Sequence, residues 1–160
     1  MLLRWVCALG AAAALSSAGA ASSTATLAVS SQVALACAIA VDRVDFGGIP
    51  AVRTVNVDRV GAVRVECTSG VPWQIGMSLG ANRSGNQRRM RHVALGGVWL
   101  NYELYRDAAY SQVWRDTPPT RVQGVGMGAV QTVSLYSRLP ADQTPPVGTY
   151  IDTVTATIRY

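Results

Sequence analysis

Few residues in this chain can do chemistry. Among 160 residues there is one histidine, His92, two glutamates, Glu66 and Glu103, seven aspartates and three cysteines. All 14 basic residues are arginine, which excludes Schiff-base chemistry, a phosphate-cradling P-loop lysine and lysine–asparagine crosslinking. No serine or cysteine lies in a nucleophile motif, and no carboxylate is spaced from His92 as a base–nucleophile pair requires. A zinc site needs more ligands than two cysteines and a lone histidine set among arginines. The expectation is a protein that is not an enzyme, with no catalytic residue, metal, cofactor or small-molecule substrate.

Two groups of side chains could still bind something. Arg83, Arg88, Arg89 and Arg91, with His92, fall in a polar, glycine-containing run over residues 80–92 that reads as a loop able to hold an anionic polymer. A charged loop is most often simply solvated, and no aromatics are interleaved there for base stacking, so nucleic acid is not an expected partner. Of the tryptophans, Trp73 sits on a core-facing parity, whereas Trp99 has the opposite parity to Leu100 and is the surface aromatic that could stack on a sugar.

These residues need a scaffold, and composition points to its class. After residue 20 there are 20 Val and 12 Thr against 2 Glu and no Lys, which favours half-buried strands over helices. Residues 1–20 read as a secretory signal, with Arg4 as the positive region, an apolar run and Ala18-Gly19-Ala20 as the cleavage site. Cys7 leaves with that segment. The remaining pair, Cys37 and Cys67, is most simply one disulfide in an exported protein.

Alternation then marks the strands. Residues 24–33 place Leu27, Val29, Ser31 and Val33 on one side. A short strand is expected over 41–46, closed by Gly47-Gly48-Ile49-Pro50. Val63, Val65 and Cys67 point inward, and so do Trp73, Ile75, Met77 and Leu79. Leu100, Tyr102 and Leu104 share an inner face, with Asn101 and Glu103 outward. Another strand spans 130–139. A last one runs through 149–160, with Val154, Ala156 and Ile158 inward. Seven or so short strands without an amphipathic helix describe an all-β, immunoglobulin-like sandwich in one domain. The isolated alternating strand before the first cysteine and the in-register final strand leave edges that call for a partner strand.

At this point the chain resembles the spore coat protein U domain family, which includes subunits of archaic chaperone-usher pili. The resemblance covers residues 27–160 and rests on ordered motifs: Leu27-x-Val29-x-Ser31-x-Val33 before Cys37, Val44-Asp45-Phe46-Gly47, Val65-x-Cys67-Thr68-x-Gly70, and Arg89-Met90. It continues through Leu100-x-Tyr102-x-Leu104-Tyr105-x-Asp107, Trp114-x-Asp116, Tyr136-x-Arg138-x-Pro140-Ala141-x-Gln143 and Gly148-x-Tyr150-x-Asp152-Thr153-Val154-Thr155. Arg115, Ser137 and Asp142 stand where the family pattern has glycines.

What the resemblance implies is an incomplete immunoglobulin-like β-sandwich completed by a donor strand. Residues 1–20 would be the signal, 21–33 the donor-strand extension and 34–160 the sandwich. Leu27, Val29 and Val33 would enter a neighbour's groove, with Ser31 at a shallow position, and Val65, Trp73, Ile75, Met77, Val154, Ala156 and Ile158 would form acceptor groove and core. A periplasmic chaperone, an outer-membrane usher and other pilin subunits are the implied partners, and the periplasm followed by a cell-surface fibre the implied location. Two alternatives stand beside this: a self-complemented monomeric secreted coat or matrix protein, and a glycan-binding adhesin module.

Overall fold

The computed structural model describes residues 22–50, 52 and 54–160. The signal-like segment and Cys7 lie outside the described residues. A boundary between Gln32 and Val33 divides the chain. On its amino-terminal side residues 22–32 are exposed and in no ladder. The expected strand over 24–33 is therefore not formed, because alternation supplies a face to bury but not the partner whose amides make a strand.

Residues from Val33 to Tyr160 form one compact unit. Among the described residues it holds nine strands: β1 Cys37–Val41, β2 Val57–Cys67, β3 Pro72–Met77, β4 Arg88–His92, β5 Trp99–Tyr105, β6 Val122–Val125, β7 Val130–Leu139, β8 Tyr150–Ile151 and β9 Ala156–Arg159. A single 3-10 turn, Pro118–Thr120, is the one helical element among the described residues. The strands make a six-stranded sheet in the order β1-β2-β7-β5-β4-β8 and a three-stranded sheet in the order β6-β3-β9. Every pairing is antiparallel. This is the all-β, immunoglobulin-like sandwich that the patterning implies.

Several boundaries differ from expectation. The strand expected over 41–46 ends at Val41; its alternation continues to Phe46, but the backbone leaves the β2 ladder after the Asp42 amide bonds the Ala62 carbonyl at 2.9 Å. The last strand is broken in two, with β8 in the large sheet and β9 in the small one. The polar run over 80–92 is not all loop, since its end is β4.

The core lies between the two sheets. Val63, Val65, Cys67, Trp73, Ile75, Met77, Leu100, Tyr102, Leu104, Trp114, Leu135 and Leu139 are all buried. Cys37 and Cys67 face each other in register at the end of the β1–β2 ladder and are bonded, 30 residues apart in sequence. Closing that loop removes about 3.5 to 4 kcal/mol of unfolded-chain entropy on the chain-entropy model. It ties down β1, an edge strand with one ladder neighbour.

The two sheets are also joined by a buried cation. Arg88, expected as part of an anion-binding loop, is fully buried. Its Nε donates to the Ser78 carbonyl at 3.0 Å, and its Nη2 donates to the carbonyls of Met77, Ser78 and Trp114 at 3.1, 2.6 and 2.7 Å. It is ion-paired with Glu103 on β5, whose other carboxylate oxygen accepts from Arg115 at 2.7 Å. Glu103, expected outward, is thus buried as well. Burial lowers the Arg88 pKa, opposed by the Glu103 charge. The reason for the inward turn is that the chain leaving β3 points the Met77 and Ser78 carbonyls at this side chain, and a guanidinium fork donates to several acceptors at once. Trp114 lies beside it, with its indole N–H donating to the Ile75 carbonyl at 2.9 Å.

The three departures from the family's glycines have separate explanations. Asp142 keeps the left-handed backbone of a glycine, with φ 58°, a conformation Asp tolerates better than most residues. Ser137 lies inside β7, buried, with its hydroxyl on the Arg59 carbonyl at 3.0 Å. Arg115 completes the Glu103 pair and donates to the Asn86 carbonyl at 2.6 Å.

Replacing Arg88 with Met should destabilise the domain by about 3 to 5 kcal/mol, the usual cost of breaking a buried ionic cluster from one side. Equilibrium unfolding in urea measures it. Acid should weaken the fold through Asp116, which clamps β9 through Arg159 at 2.6 and 2.9 Å and also accepts from Arg121 at 3.1 Å. The Arg159 bonds hold its carboxyl below the ordinary 3.8, against the opposing effect of burial. A depressed carboxylate contributes stability that is full above the unfolded value and is lost as pH falls through the folded one. Urea midpoints should therefore fall between pH 5 and pH 2, and fall less in Asp116→Asn.

Candidate functional site: an open apolar groove

The sandwich is open along one side. β1 and β9 come within 8 Å between Cα atoms but share no ladder. Between the chain after β1 and the chain leading into β9 lies a cleft of about 790 Å³, with rims formed by residues 41–49 and 145–154 together with Ala156. Its floor is core: Met77, Met90, Leu100, Tyr102, Leu104, Leu135 and Leu139. Phe46, from the first rim, is buried against Tyr102 with ring centroids 6.4 Å apart.

The second rim is an edge whose main-chain groups are, among the described residues, free on one side. The Ser78 and Ala81 amides donate to the Thr155 and Thr153 carbonyls at 2.9 and 3.0 Å, and Ala156 and Ile158 oppose Met77 and Ile75 in the β3–β9 register. Successive residues of a strand turn their N–H and C=O to opposite edges. Thr153, Thr155 and Thr157 thus face β3, while Val154, Ala156 and Ile158 present theirs to the open side. The Val154 and Ala156 side chains meanwhile line the cleft.

Polar contacts lock this rim in place. Asp152 Oδ1 accepts from the Asn82 backbone and side-chain amides at 3.0 and 2.9 Å, and its Oδ2 accepts from the Tyr102 hydroxyl at 2.7 Å. Burial first, then that bond, raises the Tyr102 pKa far above the ordinary tyrosine value, so its hydroxyl stays a donor. Gly80, at φ +84°, leaves the space that Asp152 occupies, and a Cβ there would overlap the carboxylate. Farther along, the His92 ring takes two amides on Nδ1, from Ala94 and Leu95 at 3.0 and 2.9 Å. Its proton therefore sits on Nε2, which donates to the Val147 carbonyl at 3.2 Å.

Of the residues expected to form acceptor groove and core, Met77, Val154 and Ala156 line the cleft, whereas Val65, Trp73, Ile75 and Ile158 pack elsewhere in the core. Leu27, Val29 and Ser31 lie in the exposed amino-terminal segment, and Val33 begins the compact unit, 83% exposed. Arg83, Arg89 and Arg91 stay near the surface; Arg88 does not join them. Sequence reasoning missed Phe46, Met90, Leu135 and Leu139 as groove lining. Met90 was detectable, because Arg88, Met90 and His92 alternate with Arg89 and Arg91 and face Leu100 and Tyr102 across the register. Among the described residues no three His, Cys, Asp or Glu side chains are grouped to hold a metal.

A family model described as the Spore Coat Protein U domain matches residues 23–157. The chain belongs to that family. Protein U of Myxococcus xanthus is 34% identical over 112 residues, covering 66% of this chain and 62% of that protein's length. Among solved structures, this family member is similar to a chain in the chaperone–tip adhesion subunit pre-assembly complex, CsuC–CsuE, from archaic chaperone-usher Csu pili of Acinetobacter baumannii. The TM-score is 0.59 at 22% identity, over 80% of this chain and 40% of that one. That likeness is one of fold.

The rim lock yields a thermodynamic prediction. Gly80→Ala should destabilise by at least the roughly 1–2 kcal/mol of a left-handed non-glycine residue. Tyr102→Phe should cost about 1.5–3 kcal/mol by removing a bond to a charged acceptor. Both act on Asp152, so urea unfolding of the double variant should show less than the sum.

Proposed function

We propose that this family member is an exported structural subunit of a surface fibre, polymerised by donor-strand exchange after chaperone-usher secretion. The observation that carries the reading is the groove: a cleft whose apolar floor is the core itself, bordered by an edge whose alternate amides and carbonyls have no partner among the described residues. Such a site takes an extended strand, whose main chain supplies affinity and whose alternate side chains supply register. Residues 21–33 have the complementary pattern. Over residues 24–33 an extended chain reaches about 33 Å, with Leu27, Val29 and Val33 at the spacing for an apolar floor and Ser31 where space is shallow.

In this reading a strand from a periplasmic chaperone fills the groove first. The amino-terminal segment of the next pilin subunit then displaces it at an outer-membrane usher, and no catalytic residue or cofactor takes part. The signal-like residues 1–20 direct the chain to the periplasm, and the fibre stands at the cell surface. The disulfide keeps one edge of the groove fixed while its occupant changes.

Deleting residues 21–33 should leave a protein that still co-purifies with its chaperone but no longer joins a neighbour. Polymer formation by that deletion would overturn the proposal. A full mature chain that is monomeric, folded and protease-resistant without any chaperone would instead show its amino-terminal strand filling its own groove.

A further inference from the structure

Half of the described arginines of the compact unit are held by carboxylates. Arg64, Arg88, Arg115, Arg121, Arg138 and Arg159 are each ion-paired to a carboxylate. Arg43, Arg59 and Arg106 are not, and neither are Arg83, Arg89 and Arg91, which lie together on the β3–β4 loop and the outer face of β4. Arg89 donates only to the carbonyls of Asn82 and Arg83, and Arg83 only to that of Gly85. Arg91 is exposed and has no partner among the described residues.

Register gathers other groups onto the same face. Arg91 lies directly opposite Trp99, and Arg89 opposite Asn101. Residues opposite in register, and those two apart along a strand, share a face. The Arg89 guanidinium accordingly stacks over the half-buried Trp99 indole, 4.3 Å from the ring centroid. That stacking holds Arg89 flat with donor edges available, and the Asn101 carboxamide is exposed beside it. Arg88, Met90 and His92 point the other way, into the protein, so this face is separate from the groove.

We propose that the outer face of β4 and β5 binds an anionic polysaccharide whose charge is carried by sugar-ring carboxylates, a polyuronate. The chemistry follows from the set. Guanidinium forks pair carboxylates in bidentate fashion, an indole packs on the apolar face of a sugar ring, and a free carboxamide answers hydroxyls. One tryptophan is too few for the serial base stacking that single-stranded nucleic acid uses. No carboxylate of the protein is paired with these three arginines, so charge complementarity selects a polyanion. Each site is weak; where several copies are displayed together, multivalency multiplies the affinity without changing the order of variants.

The test uses the full chain as its cells secrete it, with polygalacturonate as probe, dextran as neutral control and single-stranded DNA as competitor, at low salt. Arg91→Gln should weaken polygalacturonate binding about threefold to fivefold, the upper range for one exposed ion pair, with an unchanged melting temperature because this side chain holds nothing in the fold. Arg89→Lys should also weaken it, because the charge remains but the flat fork is lost. Arg64→Gln removes a charge elsewhere and should leave binding unchanged. Equal loss in Arg64→Gln would reduce the effect to net charge and overturn the site. So would dextran binding as tight as polygalacturonate, or single-stranded DNA binding more tightly. The comparison needs no assembled fibre, so failure of the fibre reading would leave its outcome legible.

Discussion

The sandwich depends on the guanidinium of Arg88. A two-sheet domain is ordinarily held by apolar burial along its whole length, and here one side of the core opens onto a cleft. A directional clamp takes over part of that work. Arg88 sits on β4 of the large sheet and grips main-chain carbonyls where β3 of the small sheet runs out, while Glu103 and Arg115 neutralise and extend the cluster. Two of the carbonyls it holds belong to the groove-lining Met77 and its neighbour Ser78, so the same cluster fixes the backbone under part of the groove floor. Apolar packing alone tolerates sliding between sheets. A fork with several fixed acceptors does not.

Much of the fold was legible because one physical signal dominates it. Where one face of a strand is buried, side chains alternate, and Val63-Val65-Cys67 and Trp73-Ile75-Met77 do so with nothing to blur the pattern. Legibility failed where burial and polarity part company. Arg88, Glu103 and His92 are polar residues in the interior, and a reading that equates charge with solvent places them in a loop or on an outer face. It failed again where a strand needs a partner. Residues 24–33 alternate as well as any strand in the molecule, yet belong to no ladder. The candidate groove was half visible: its β9 rim follows from the alternation of Val154 and Ala156, while Phe46 and Ile49 reach it through a segment that leaves its ladder.

The departures from the family pattern carry a related lesson. A glycine is often needed for its backbone, for the space beside it, or for neither. Asp142 meets the backbone requirement directly, and Gly80 meets both by yielding to the Asp152 carboxylate. Arg115 and Ser137 occupy positions where the backbone asks for nothing special and the side chain adds a contact. Similar sequence positions thus carry different constraints, and geometry tells them apart.

The free edge beside the groove also labels itself isotopically. Along residues 155–158 the Thr155 amide is held by the Ser78 hydroxyl at 2.9 Å and Thr157 faces Gly76 in the β3 ladder, and the amides between and after them look away from β3. In heavy water the amides of Val154, Ala156 and Ile158 exchange on the timescale of open chain, while those of Thr155 and Thr157 are held back by their bonds. A strand seated in the cleft turns that alternating pattern into uniform protection. Occupancy of the groove is thereby written in the exchange rates of three amides, whatever the identity of the occupant.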